Sequence, residues 1–196
     1  SQGSEMDIGL VAASGWASGL NVYAVVLVLG LLGRLTENVL PEQLSSWPVL
    51  AVAAVMYVVE FFVDKVPYLD DIWDAVHTVI RPVAAGWIGY LLAGEVDLSP
   101  ILGAGTSGVT ALAAHSTKAT TRAAVNVSPE PFSNIGLSLF EDGLVVGLVL
   151  LAVEYPLIAL VVVVALLILG VWLVVVLWRA IGRVASRISA RYSAQE

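Results

Sequence analysis

LVVGLVLLAVEYPLIALVVVVALLILGVWLVVVLW, residues Leu144 to Trp178, decides the fold class. Glu154 is its one charged residue, and as a single helix it would be about 50 Å long, well beyond the ~30 Å hydrocarbon core of a bilayer. Pro156 lacks a backbone N–H and suits the first turn of a helix, so Glu154-Tyr155 reads as a tight turn between two spans.

Upstream, apolar runs cover Val22 to Leu32, Val49 to Val63 and Val83 to Ala93. The first needs Ile8 to Leu20 to reach spanning length, and the third needs a helix that begins near Asp71. Ile101 to Ala124 follows Ser99-Pro100 and is long enough to cross, although it is rich in Gly, Ser and Thr. The expectation is an all-α, polytopic transmembrane helix bundle of about six spans.

Composition agrees. The chain has 196 residues, 59% hydrophobic and 13% charged, with a mean hydropathy of +0.91. This excludes an ordinary soluble domain, and the length leaves no room for one beside the spans. Without cysteine there is no thiol chemistry or disulfide framework, and a net charge of −7 is no nucleic-acid footprint. SQGS with Glu5 (residues 1–5) reads as a scar of recombinant expression ahead of Met6. Residues 6–178 then form the transmembrane domain and 179–196 a basic cytoplasmic tail.

Orientation follows from the basic residues. Arg179, Arg183, Arg187 and Arg191 recur every four residues and would meet anionic lipid, placing the C-terminus in the cytoplasm. Six spans put the N-terminus there too. Lys65, Lys118 and Arg122 fall on the same side; Glu95, Asp97 and Glu154 fall outside, with Arg34 the one contrary charge. The expected location is the bacterial cytoplasmic membrane, with lipids as partners.

Two echoes point to internal repetition: ASGWASGLN (Ala13 to Asn21) with LGAGTSGVT (Leu102 to Thr110), and VVEFF (Val58 to Phe62) with AVEYP (Ala152 to Pro156). Repeats over 8–94 and 100–178, three spans each, would be related by inverted topology, as in many secondary transporters.

The chemistry-bearing residues gather between spans two and four. Asp70, Asp74, His77 and Arg81 are spaced 4, 3, 4 and share one helix face. Glu60 and Asp64 lie one turn apart on the preceding span. Asp70 and Asp71 also read as first-turn acids that stabilise a helix start. On span four His115, Lys118 and Arg122 make a basic stripe among hydroxylic residues, the expected counter-charge across a shared polar interior. Ionised groups facing lipid would each cost roughly 2.5–3.5 kcal/mol. Gly15, Gly19, Gly103, Gly105 and Gly108 permit close helix packing, or local unwinding whose helix ends could bind an ion, with Asn21 and Asn126 as nearby polar groups. The GxxxG of Gly15 and Gly19 would also suit a homodimer.

VEFFVDKVPYLDDIWDAVHTVIRP (Val59 to Pro82), preceded by ASGWASGLNVY, carries the pattern E-x3-DK-x-P-x2-D-x2-WD-x2-H-x3-RP. It resembles the bacterial integral-membrane family catalogued as domain of unknown function 4126, over Ile8 to about Gly170. The resemblance implies a membrane protein and brings no activity or catalytic residue with it. The arginine-bearing tail departs from it.

The preferred reading is a small transporter or channel for an ion or small polar solute, with Glu60, Asp64, Asp74, His77, Arg81, His115, Lys118 and Arg122 along its pathway. A second is a membrane-embedded enzyme acting on a lipid head group, with Asp70, Asp74 and His77 holding a divalent metal as cofactor. No phosphotransferase motif or activated nucleophile accompanies that cluster. The third is a scaffold whose charges only staple helices together.

Overall fold

The computed structural model describes residues 2–36, 40–66, 68–126 and 131–193, with side chains from residue 8 onward except at 131, 181 and 184–193. It is an all-α bundle: α1 (Gln2–Leu35), α2 (Trp47–Val63), α3 (Leu69–Glu95), α4 (Pro100–Val125), α5 (Pro131–Glu154) and α6 (Pro156–Ser193). Proline opens four of these helices, at Pro48, Pro100, Pro131 and Pro156, where a missing N–H leaves no intrahelical bond unmade. Tyr155 alone separates α5 from α6, so the turn expected there is present.

Four stretches are long and apolar enough to cross a membrane: Ile8–Leu35, Leu69–Glu95, Phe132–Glu154 and Pro156–Ala180. The chain is a multi-pass membrane protein by this measure. Helix α2, with 17 residues, is apolar but shorter. Helix α4 has 26 residues, about 39 Å, and its polar content keeps it out of that set.

Helix α1 is not continuous. Asn21 has φ −153° and ψ 96°, extended backbone in the middle of the helix, and the chain reverses there. The direction of each arm is fixed by what it touches. Gly9 lies against Pro156, and Gly15 and Gly19 lie against Ser107 and Ala111 of α4, so residues 2–20 run from the α5–α6 turn toward the end of α4. After Asn21 the chain leads away again, because Gly30 lies against Leu44 and Leu50 near the start of α2. Helix α2 then returns: Glu60 meets Arg81 and Lys118, while Asp64 one turn later meets Lys118 and Arg122. Residues 2–35 are therefore a helical hairpin with Asn21 at its tip.

Asn21 suits the position. Its Oδ1 accepts the N–H of Ala24 at 3.0 Å, capping the second arm, and its Nδ2 donates to Asp142 Oδ1 at 3.4 Å.

The first arm packs tightly on α4. A Cβ at Gly15 would collide with Ser107 and Thr110, one at Gly19 with Ala111 and Ala114, and one at Gly103 with Gly89 and Ala93. Gly108 approaches the Pro82 carbonyl of α3, whereas Gly105 has nothing near it, so its expected packing role is corrected. The glycine pair of α1 is used inside the chain, against α4, and does not serve a face between two copies. The first arm and α4 also run side by side in the same direction.

Apolar residues of α1 form the middle of the core: Val11, Ala13, Ala17, Val25 and Leu29 are inaccessible, packed with Leu92, Val145, Val149 and Ala152. Helices α2 and α6 present most of their apolar residues outward, as lipid-facing helices do.

Candidate functional site

Where α2 ends, α3 begins and α4 ends, the hairpin tip meets a cluster of charged side chains withdrawn from the surface. Glu60, Asp70, Arg81 and Arg122 are 0% exposed; Asp64, Asp74, His77, His115 and Lys118 are 2–3% exposed. The helical spacings explain the convergence. Asp70, Asp74, His77 and Arg81 form one buried face of α3, and His115, Lys118 and Arg122 one buried face of α4.

The pairing is dense. Arg81 donates through Nη2 to Glu60 Oε1 at 2.8 Å, and its Nη1 lies 3.1 Å from Asp74 Oδ1. Lys118 Nζ donates to Asp64 Oδ2 at 2.7 Å, to the Leu20 carbonyl at 3.0 Å and to Glu60 Oε1 at 3.4 Å, which uses all three of its N–H groups. Arg122 binds Glu141 Oε2 at 2.5 Å, the Asp64 carbonyl at 2.7 Å, Asp64 Oδ2 at 3.2 Å and Asp70 Oδ2 at 3.3 Å. Asn126 donates to Asp70 and to Asp71, each at 3.0 Å, and receives Asn134 Nδ2 at 2.9 Å.

The broken helix joins this network directly. The first arm ends with carbonyls that have no intrahelical donor, and Arg81 Nη1 donates to Gly19 O at 3.2 Å while Lys118 takes Leu20 O. Both cations sit at the negative end of a helix dipole. The unwound helix end is thus met by the protein's own Arg81 and Lys118.

The two histidines are held differently. A guanidinium only donates, so His115 Nδ1, 2.8 Å from Arg81 Nη1, accepts and its proton sits on Nε2, 3.1 Å from Thr78 Oγ1. The Thr78 hydroxyl in turn donates to the Asp74 carbonyl at 3.0 Å. A second proton on His115 would oppose the guanidinium. At His77 the arrangement is reversed: Nδ1 donates to the Trp73 carbonyl at 2.9 Å, leaving Nε2 to accept from Tyr23 Oη at 3.0 Å. His77 is stacked on Trp73, with ring centroids 4.4 Å apart, and can accept a second proton without losing its Trp73 bond.

Charge does not balance. Glu60, Asp64, Asp70, Asp74 and Glu141 are five acids against the three bases Arg81, Lys118 and Arg122, so with neutral histidines the buried cluster has a surplus of negative charge. Several carboxylate oxygens also lack a hydrogen-bond donor: Glu60 Oε2, Asp64 Oδ1 and both oxygens of Asp74. Asp74 is the least satisfied of the acids, since its 3.1 Å approach to Arg81 lacks hydrogen-bond geometry.

Sequence reading brought together Glu60, Asp64, Asp74, His77, Arg81, His115, Lys118 and Arg122, and all eight belong to this network. Asp70 and Asp71 lie in the first turn of α3, as expected, though neither is the N-cap. The helix N-cap is Tyr68, at φ 68°, and Asp70 is a full member of the cluster. Lys118 and Arg122, counted as loop charges for orientation, are buried within α4. Glu141, Asp142, Asn134 and Tyr23 were not singled out. The signal was the Glu141-Asp142 pair inside an otherwise apolar neighbourhood, on a helix that begins at Pro131 rather than Leu144.

A metal held by Asp70, Asp74 and His77 does not fit. Asp70 is taken by Arg122 and Asn126, Asp74 faces Arg81, and His77 is bound by Tyr23 and Trp73. Among the described residues no group of three or more His, Cys, Asp or Glu is arranged to hold a metal ion. Basic side chains occupy the space between these acids.

At the edge of the cluster Lys65, in the turn after α2, donates to Phe61 O at 2.8 Å and Ser138 Oγ at 3.1 Å. Burial is the largest influence on its ammonium, whose pKa lies below the usual lysine value. Arg179 and Arg183 are exposed on α6, as a lipid-contacting tail requires; the side chains of Arg187 and Arg191, the turn residue Pro67 and residues 1–5 fall outside the described residues, apart from the helical backbone of 2–5, 187 and 191.

Neither a curated protein nor a solved structure matches the chain. A family's sequence model does, over residues 8–176, which take in the hairpin, all eight network residues anticipated from sequence and the four missed ones. The chain belongs to that family, described as Domain of unknown function (DUF4126).

Proposed function

We propose that the protein is a small proton-coupled membrane transporter or channel for a cation or small polar solute, and that the buried network at the tip of the α1 hairpin is where the proton is held. The observation that carries this reading is the surplus of buried carboxylates, with Asp74 accepting no hydrogen bond at either oxygen and meeting Arg81 and Lys118 only as ion pairs at 3.1 and 3.9 Å. Negative charge in excess of the cations, taken out of water, costs several kcal/mol, and a carboxyl cluster relieves that cost by taking up a proton. A scaffold that only staples helices needs matched charges, whereas a group that gains and loses a proton needs this kind of mismatch. His77, one turn along α3 with its Nε2 accepting the Tyr23 hydroxyl, is the neighbouring relay.

The hairpin supports a specific membrane topology. Helices α2 to α6 would make five crossings, with residues 2–35 re-entrant. The basic residues Lys65, Arg179 and Arg183 lie at the cluster end, which would face the cytoplasm together with the C-terminus. The N-terminus would then lie on the opposite side, unlike the six-span expectation. Broken helices with polar tips are found where transporters bind their ions, because irregular backbone at membrane depth is tolerated only inside protein or beside a polar cavity.

In proteoliposomes carrying an interior pH dye, an imposed proton gradient should acidify the lumen through wild-type protein, and Asp74→Asn should reduce the rate at least about tenfold, an ordinary loss for a proton carrier. Arg179→Gln, away from the network, should leave the rate unchanged. Wild-type flux no greater than that of empty liposomes, or undiminished flux in Asp74→Asn, would remove the proposal.

A further inference from the structure

Beside the network is a cavity of about 220 Å³ bounded by α1, α4, α5 and α6. Its walls are apolar, among them Trp16, Leu20, Leu137 and Leu144. Phe140 and Leu169, which also line it, are 66% and 55% exposed, so it opens sideways between α5 and α6 toward the lipid. The polar residues of its lining come from α4 and α5: Thr117, Lys118, Thr121 and Glu141.

These polar groups are committed in one sense. The Thr117 hydroxyl donates to Ala113 O at 3.0 Å and that of Thr121 to Thr117 O at 2.8 Å, so neither has a hydrogen left to give. Lys118 has spent its three donors on Leu20, Asp64 and Glu60. Glu141 meets Arg122 and Lys118 through Oε2 alone, which leaves Oε1 free of those contacts. What α4 and α5 offer an occupant is therefore acceptors. The adjoining network carries surplus negative charge, and Trp16 and Phe140 add ring faces that attract a cation.

We infer that this cavity binds a small organic ammonium, a primary amine with a compact apolar body, admitted from the bilayer between α5 and α6 with its nitrogen directed at Glu141, Thr117 and Thr121. A carboxylate or phosphate would meet acceptors, the Glu141 carboxylate and a Lys118 ammonium whose three N–H groups are already donated. A neutral apolar molecule would leave the polar side unused. The volume sets the size of the apolar part at about one aromatic ring, since a cavity of ~150 Å³ accommodates benzene. As a transported substrate this ligand rests on the transport reading above; as a bound ligand it does not.

The test is calorimetric titration of purified full-length protein in detergent with benzylammonium, benzyl alcohol and benzoate, three probes of similar shape and different charge. Benzylammonium should bind at least tenfold more tightly than either of the others. Thr117→Val with Thr121→Val, which keeps shape and removes two acceptors, should weaken it about tenfold, the loss of two ordinary hydrogen bonds. Leu166→Phe, which narrows the cavity and spares every polar group, should weaken all three probes alike. Equal binding of benzyl alcohol, tighter binding of benzoate, no binding of benzylammonium, or affinity unmoved in the threonine double variant would overturn the site. Saturable benzylammonium binding by protein that moves no protons would keep the site and remove only its role in transport.

Discussion

Arg122→Met is expected to destabilise the folded protein by about 3–5 kcal/mol. Arg122 is fully buried and holds Asp64, Asp70 and Glu141 together with the Asp64 carbonyl. Removing it takes a cation from three carboxylates in a medium that cannot solvate them, leaving Asp64 to Lys118 and Asp70 to Asn126, and loss of one member of a buried charge cluster costs about 3–5 kcal/mol. That is a large part of the ~5–15 kcal/mol by which a folded protein exceeds its unfolded state. The opposite substitution separates charge balance from mere contact. Glu141→Gln keeps an oxygen for Arg122 and lowers the surplus of acids, so it should cost under about 2 kcal/mol. Thermal unfolding of each variant in detergent, followed by size-exclusion of the soluble fraction, reads the difference. Equal destabilisation by the two would mean that the cluster's charges are already matched.

The second large effect is expected at Gly19. A side chain there has to displace the Ala111 carbonyl and Ala114 of α4, and the same backbone supplies the carbonyls bound by Arg81 and Lys118. Gly19→Val combines overpacking, typically 1–3 kcal/mol, with the loss of two charge-assisted hydrogen bonds at about 1.5–3 kcal/mol each, so a total of at least about 4 kcal/mol is expected. Gly105→Ala is the control. It lies within α4 with no atom near a new Cβ, and the better helix propensity of alanine should stabilise the protein by up to about 1 kcal/mol. The two variants compared by thermal unfolding should move in opposite directions.

Much of the site was legible because helical spacing acts locally. Ionisable residues at 4, 3, 4 on α3 and at 3, 4 on α4 have to share a face whatever else the chain does, and in an apolar protein those faces have to meet. The reversal at Asn21 was not legible in the same way. Hydropathy over Ile8 to Leu35 is continuous, asparagine is no strong helix breaker, and the reversal depends on partners far away in sequence: Arg81 and Lys118 take the freed carbonyls, and Asp142 takes the side-chain amide. The number of crossings depends on that one residue. Helix α5 was shortened for a related reason, since its first three turns carry the polar residues Asn134, Ser138, Glu141 and Asp142. They resemble a loop until the network they face is known.

The claim on which this account turns is that the buried cluster, with five acids against three bases, holds a proton. The infrared spectrum of the protein in lipid at pH 7, compared with that of Asp74→Asn, tests it most directly. A protonated-carboxyl band should be present in the wild type and weaker in the variant, which removes one of the surplus acids. A wild-type spectrum without that band, or a band that survives the substitution unchanged, would contradict it.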